Sequence, residues 1–116
     1  MCIRDSYRDA TLVGASGGGT TAEEVNLLNP AADSYTVYVH GFNVAGTVNF
    51  KLFSWLLGGA PAGNMTVTAP ASATLGGSGT INLSFSGLTA GTKYLGSVAY
   101  SGASGMPNPT IVRVDP

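Results

Sequence analysis

Two short stretches carry residue types that could do acyl-transfer chemistry. Gly14-Ala15-Ser16-Gly17-Gly18 fits Gly-x-Ser-x-Gly, the turn that presents a serine nucleophile, and Val39-His40-Gly41-Phe42 holds a His-Gly pair of the kind that lends backbone donors to an oxyanion. Such chemistry needs the serine on a strand-to-helix turn, an oxyanion loop earlier in the chain than the nucleophile, and a separate histidine as base. Here His40 is the single histidine and follows Ser16, and no helical pattern follows the serine. In a segment this rich in Gly and Ser the match arises by chance, so no catalytic residue is expected and the chain is not read as an enzyme.

The other candidate ligand sets are equally thin. Gly17-Gly18-Gly19-Thr20-Thr21 lacks the lysine of a phosphate-cradling loop. Asn29, Asp33 and Asp115 offer scattered oxygens, whereas calcium takes about six to eight. Cys2 is the single cysteine, which excludes an intramolecular disulfide and the paired zinc spacings. Asn64-Met65-Thr66 and Asn82-Leu83-Ser84 fit the glycosylation triplet but read as ordinary polar strand residues. No cofactor and no metal are expected.

What remains is an aromatic group: Tyr38, His40 and Phe42, with Phe53 and Trp55. As a surface patch, Tyr38, His40, Phe42 and Trp55 would hold sugar rings, peptides or a partner domain by stacking and apolar contact. As core, Phe53 and Trp55 would fill the second layer of a sandwich, the stronger reading because large aromatics dominate cores.

The elements that must position these residues have a two-residue period. Tyr35, Val37 and Val39 alternate with Thr36, Tyr38 and His40; Met65, Val67 and Ala69 alternate with threonines up to Pro70; Ile81, Leu83 and Phe85 alternate with Asn82, Ser84 and Ser86. Tyr94 to Tyr100 and Thr110 to Val114 add two more strands, and Thr11 to Ala15 and Val25 to Leu28 two weaker ones. In Val48 to Leu57 the apolar face switches near Lys51 to Ser54, as a bulge or two-sided burial requires. Turn formers separate the runs: Gly17-Gly18-Gly19, Asn29-Pro30, Gly58-Gly59, Gly76-Gly77, Gly91 and Pro107-Asn108-Pro109. The reading is all-β, an antiparallel β-sandwich of jelly-roll or immunoglobulin-like type with about eight strands.

Composition bounds the rest. The 116 residues are 44% hydrophobic and 9% charged, with net charge −1, enough for one domain with one core. That balance offers no basic stripe for nucleic acid, and no apolar run reaches the ~20 residues of a membrane helix. Arg4, Asp5, Arg8 and Asp9 crowd the first ten residues, and Met1-Cys2-Ile3-Arg4-Asp5-Ser6 resembles translated adapter sequence at the start of a truncated metagenomic reading frame. Residues 1–10 are therefore read as an artefactual or disordered segment and 11–116 as a single β-sandwich domain.

Ser34-Tyr35-Thr36-Val37-Tyr38-Val39-His40-Gly41-Phe42 followed by Phe50-Lys51-Leu52-Phe53-Ser54-Trp55 resembles the pre-peptidase C-terminal β-sandwich module of extracellular bacterial hydrolases. Asn64 to Pro70, Gly87 to Gly96 and Thr110 to Asp115 resemble the closing strands in the C-terminal accessory region of secreted subtilisin-like serine peptidases. The resemblance spans about Thr11 to the end and rests on structural motifs without a reactive residue. It implies a non-catalytic accessory domain supporting folding, export, stability or substrate attachment, with a peptidase domain N-terminal in cis, a protein or polysaccharide substrate as a further partner, an extracellular location and a monomer. The alternatives are a carbohydrate- or peptide-polymer-binding module and a passive spacer of a cell-surface protein.

Overall fold

The computed structural model describes residues 2–41 and 43–116. Phe42, one of the four candidate surface residues, lies outside them. The chain is all-β, with seven antiparallel strands in small, sandwich-like sheets and no helix among the described residues. It divides into two compact units, Met1–Leu52 and Phe53–Pro116, where the sequence was read as one domain after a foreign leader.

The first unit is a three-stranded sheet of order β2-β1-β3, made by β1 (Cys2–Arg8), β2 (Thr11–Ser16) and β3 (Tyr35–Gly41). Its middle strand is the charge-dense segment that the sequence reading set apart. Backbone groups make the ladder and every residue here supplies both donor and acceptor, so side-chain composition does not bar the segment from pairing. β1 runs along β3 from Cys2↔Gly41 to Arg8↔Tyr35, and along β2 with a bulge between Ser6 and Tyr7. Asp9 and Ala10 alone join β1 to β2, and Asp9 turns the chain at φ 52, a region that Asp tolerates better than most residues.

Residues 23–33 strap one face of this sheet. Ser16 donates its hydroxyl hydrogen to Glu23, whose other carboxylate oxygen accepts the Gly18 N–H at 2.9 Å. The Tyr35 hydroxyl donates to the Ala31 carbonyl at 2.7 Å, and Arg8 Nε lies 3.9 Å from Asp33 Oδ2. Gly14 permits the approach, because a Cβ there would stand 2.5 Å from Val25 Cγ1. Ser6, opposite Gly14 in register, is the one buried residue among those described.

The second unit contains two two-stranded sheets. β4 (Met65–Thr68) pairs with β5 (Asn82–Phe85), and β6 (Tyr94–Val98) pairs with β7 (Thr110–Val114). Register puts Met65, Val67, Leu83 and Phe85 on one face of the first pair, with Thr66, Ser84, Thr68 and Asn82 on the other. Met65 meets the second pair at Gly96, its Cε 3.5 Å from where a Cβ would stand. Between the pairs runs a groove of ≈ 410 Å³ whose lining includes Leu56, Leu57, Phe85, Val112 and Val114.

Seven strands form, in keeping with the about eight expected; two expected runs, Val25–Leu28 and Val48–Leu57, are not strands, and Cys2–Arg8 adds one. A strand has no local hydrogen bonds of its own, so a β pattern without a pairing partner stays irregular. The single apolar core is also missing: among the described residues no hydrophobic side chain is fully buried. The accessible surface is 9051 Å², against roughly 7,100 Å² for two compact units sharing this mass.

Candidate functional site

The hydrolytic motif does not assemble. Ser16 pairs with Arg4 and His40 with Ile3, so both lie at the same end of the first sheet with β1 between them. Two strand spacings separate them, roughly 10 Å. Opposite parity along β1 puts Ser16 on the strapped face and His40 on the open face. The Ser16 hydroxyl is committed to Glu23, so it has no imidazole within reach.

The carboxylates weighed as cation ligands have other partners. Asp33 accepts the Ser34 N–H at 2.8 Å and faces Arg8, and Asp115 lies 3.1 Å from Lys93 Nζ. Among the described residues, no three metal-ligating side chains cluster.

Two aromatic groups stand exposed. On the open face of the first sheet Tyr38, 59% exposed, packs edge-on against Tyr7 with ring centroids 5.6 Å apart and planes at 86°, a favoured quadrupole geometry. Register explains the contact, since Tyr7 opposes Thr36 and Asp5 opposes Tyr38, leaving Tyr7 diagonal to Tyr38 on the same face. His40 shares that face and is exposed.

The second group is built on the turn before β6. Phe53 and Trp55 lie side by side, centroids 6.0 Å apart and planes 13° from parallel. That is where residues i and i+2 of an extended segment put their side chains. Trp55 Nε1 donates to the Lys93 carbonyl at 3.3 Å, and Lys93 Nζ stands 5.5 Å from the Phe53 ring centroid while reaching Asp115. The β6–β7 register forces that ion pair: Tyr94 opposes Val114, so the residues one step outward, Lys93 and Asp115, oppose each other. The turn itself is held by Gly91 N–H to the Pro116 carbonyl at 3.0 Å, with Gly91 at φ 78, and by Thr89 N–H to the Tyr94 hydroxyl at 3.0 Å. The Thr89 amide, then the Thr89 hydroxyl, stabilise the phenolate and lower the Tyr94 pKa.

Phe53 and Trp55 are 45% and 41% exposed, so they do not fill a sandwich layer. Tyr38 and His40 belong to the first unit and Trp55 to the second. Two participants escaped the sequence reading, Tyr7, lost with the excluded segment, and Lys93; Asp115 was weighed there only as a scattered oxygen, and its opposition to Lys93 shows only once the β6–β7 register is known.

Among the described residues, no helix is long and apolar enough to cross a membrane. Comparison with protein-family models, curated proteins and solved structures finds no match to this chain.

Proposed function

We propose that this chain is a non-catalytic accessory β-module whose role is attachment: it holds a polysaccharide or protein polymer through exposed aromatic side chains. The observation that carries this reading is the Phe53/Trp55 pair, two near-parallel rings half open to solvent beside the Lys93–Asp115 ion pair. Flat rings take the apolar faces of sugars or of peptide side chains, and neighbouring charged groups supply hydrogen bonds that orient them. The sequence resemblance supports the setting, an exported subtilisin-like serine peptidase with this module C-terminal to its catalytic domain in the extracellular space.

The test is retention of the full chain on chitin, cellulose, collagen and casein. Saturable binding that falls about tenfold in Trp55→Ala supports attachment, provided the β-sheet circular dichroism is kept. Absence of binding by the folded wild-type chain to all four removes the attachment role for those polymers.

A further inference from the structure

The open face of the first sheet brings three electron-rich groups together. Tyr38 of β3 stands opposite Asp5 of β1, and Tyr7 follows Asp5 two residues on, so all three share this face. The Tyr7 and Tyr38 rings meet at 86° with centroids 5.6 Å apart, two walls of a corner. Asp5, half-buried, is the strand neighbour of both. Leu12, Ala15, Thr36 and His40, which the register adds to the face, bring no Lys or Arg to it.

Asp5 differs from the carboxylates described above. Asp33 faces Arg8, Asp115 faces Lys93, and Glu23 holds Ser16 and Gly18. Among the described residues the Asp5 side chain has no ion-pair or hydrogen-bond partner. A partly covered carboxylate has lost some of its water, and ring faces carry the negative part of the aromatic quadrupole. A cation therefore gains from all three groups at once.

We propose that Asp5, Tyr7 and Tyr38 form a recognition site for the guanidinium of an arginine side chain on a partner polypeptide. A guanidinium gives a carboxylate two parallel N–H donors and lies flat on a ring, whereas an ammonium is a strongly hydrated point charge that gains less from either. Directly opposed strand positions have Cβ atoms about 5 Å apart, so a cation bonded to Asp5 comes within the roughly 6 Å of the Tyr38 ring at which the attraction acts. The shape of the face selects a polypeptide as carrier. Sites for free small molecules are concave, but here Tyr38 is 59% and Leu12 51% exposed on an open sheet. Leu12, opposite Tyr7, extends the apolar surface on which residues flanking the arginine come to rest. This site lies in the first unit and is separate from polymer attachment by Phe53 and Trp55 in the second.

The experiment is an NMR titration of the full chain with the blocked tripeptide acetyl-Gly-Arg-Gly-amide, whose single charge is the guanidinium. The ring-proton signals of Tyr7 and Tyr38 shift saturably, with half-saturation at about 1 to 10 mM, as a single surface cation site allows. Asp5→Asn raises the half-saturation concentration about tenfold and Tyr38→Leu about threefold, with β-sheet circular dichroism retained, while Trp55→Ala leaves it unchanged. The citrulline tripeptide, of the same shape without the charge, produces no saturable shift, and the lysine tripeptide binds several-fold more weakly. Tyrosine signals that stay in place up to about 50 mM arginine tripeptide overturn the proposal. So does an unchanged half-saturation in folded Asp5→Asn, or citrulline or lysine tripeptides that bind as well as the arginine one.

Discussion

The two units solve the same problem differently. The first covers one sheet face with a strap tied by polar contacts: Glu23 to Ser16 and Gly18, Asp33 to Arg8, Ala31 to Tyr35. The second sets apolar sheet faces across a groove, with Met65 against Gly96. Polar ties are directional and fix the strap with few residues, leaving the opposite face of the sheet bare for Tyr38 and His40. Apolar apposition is tolerant of spacing and here leaves a cavity. In neither unit, among the described residues, is a large apolar side chain fully buried, so each of the few close contacts carries a larger share of stability than it would in a dense core.

That contrast can be broken most sharply at Gly14. Gly14→Val places a side chain where Val25 already stands, and overpacking of this kind costs about 2 kcal/mol. Chemical denaturation followed by tyrosine signals in a Tyr94→Phe/Tyr100→Phe background, where Tyr7, Tyr35 and Tyr38 of the first unit are the tyrosines that remain, should show the loss there. The emission of Trp55, the single tryptophan and a residue of the second unit, should keep its midpoint. Equal shifts in both signals would show that the units unfold as one.

Glu23→Ala comes next. It frees the Ser16 hydroxyl and the Gly18 N–H, two bonds to a charged acceptor, at about 1.5 kcal/mol for the first unit. Glu23→Gln retains one acceptor oxygen and should recover about half the loss. If Glu23→Ala leaves the tyrosine-reported midpoint unchanged, the strap is not held by its polar ties.

In the second unit the Lys93–Asp115 pair is exposed on both sides, so Asp115→Asn should cost no more than about 0.5 kcal/mol and less in salt. A larger, salt-insensitive loss would mean the pair carries more than its exposure allows. The smallest effect is at Tyr94. Its hydroxyl accepts from Thr89, which favours the ionised form and lowers its pKa from 10.0. A depressed folded pKa contributes stability above the unfolded value and loses it as pH falls through the folded one, so the turn tightens slightly as pH rises toward 10. The absorbance titration of wild type minus Tyr94→Phe should show a midpoint below 10.0; a midpoint at or above it contradicts the hydrogen bond.

Much of the fold was legible in the residues. Tyr35 to Val39, Met65 to Val67, Leu83 to Phe85 and Thr110 to Val114 read as strands because β-branched and aromatic residues at every second position suit a pleat with one covered face. Gly91 read as a turn, and takes φ 78 in one. The Tyr38 and Trp55 candidates were visible as residue types, but whether a ring is covered depends on what packs over it, and period two is the same for a buried face and a bare one.

Alternation along the chain is a local property, and it determined the all-β class and most strand positions. Pairing is not local. Only tertiary structure decided that the charged residues 2–8 become the centre of a sheet, that the better-patterned 48–57 joins no strand ladder among the described residues, and that Lys93 opposes Asp115. The physical reason is that a strand's hydrogen bonds are made to a segment distant in sequence, so its partner and its exposure are set by which other segments lie within about 4.8 Å of it.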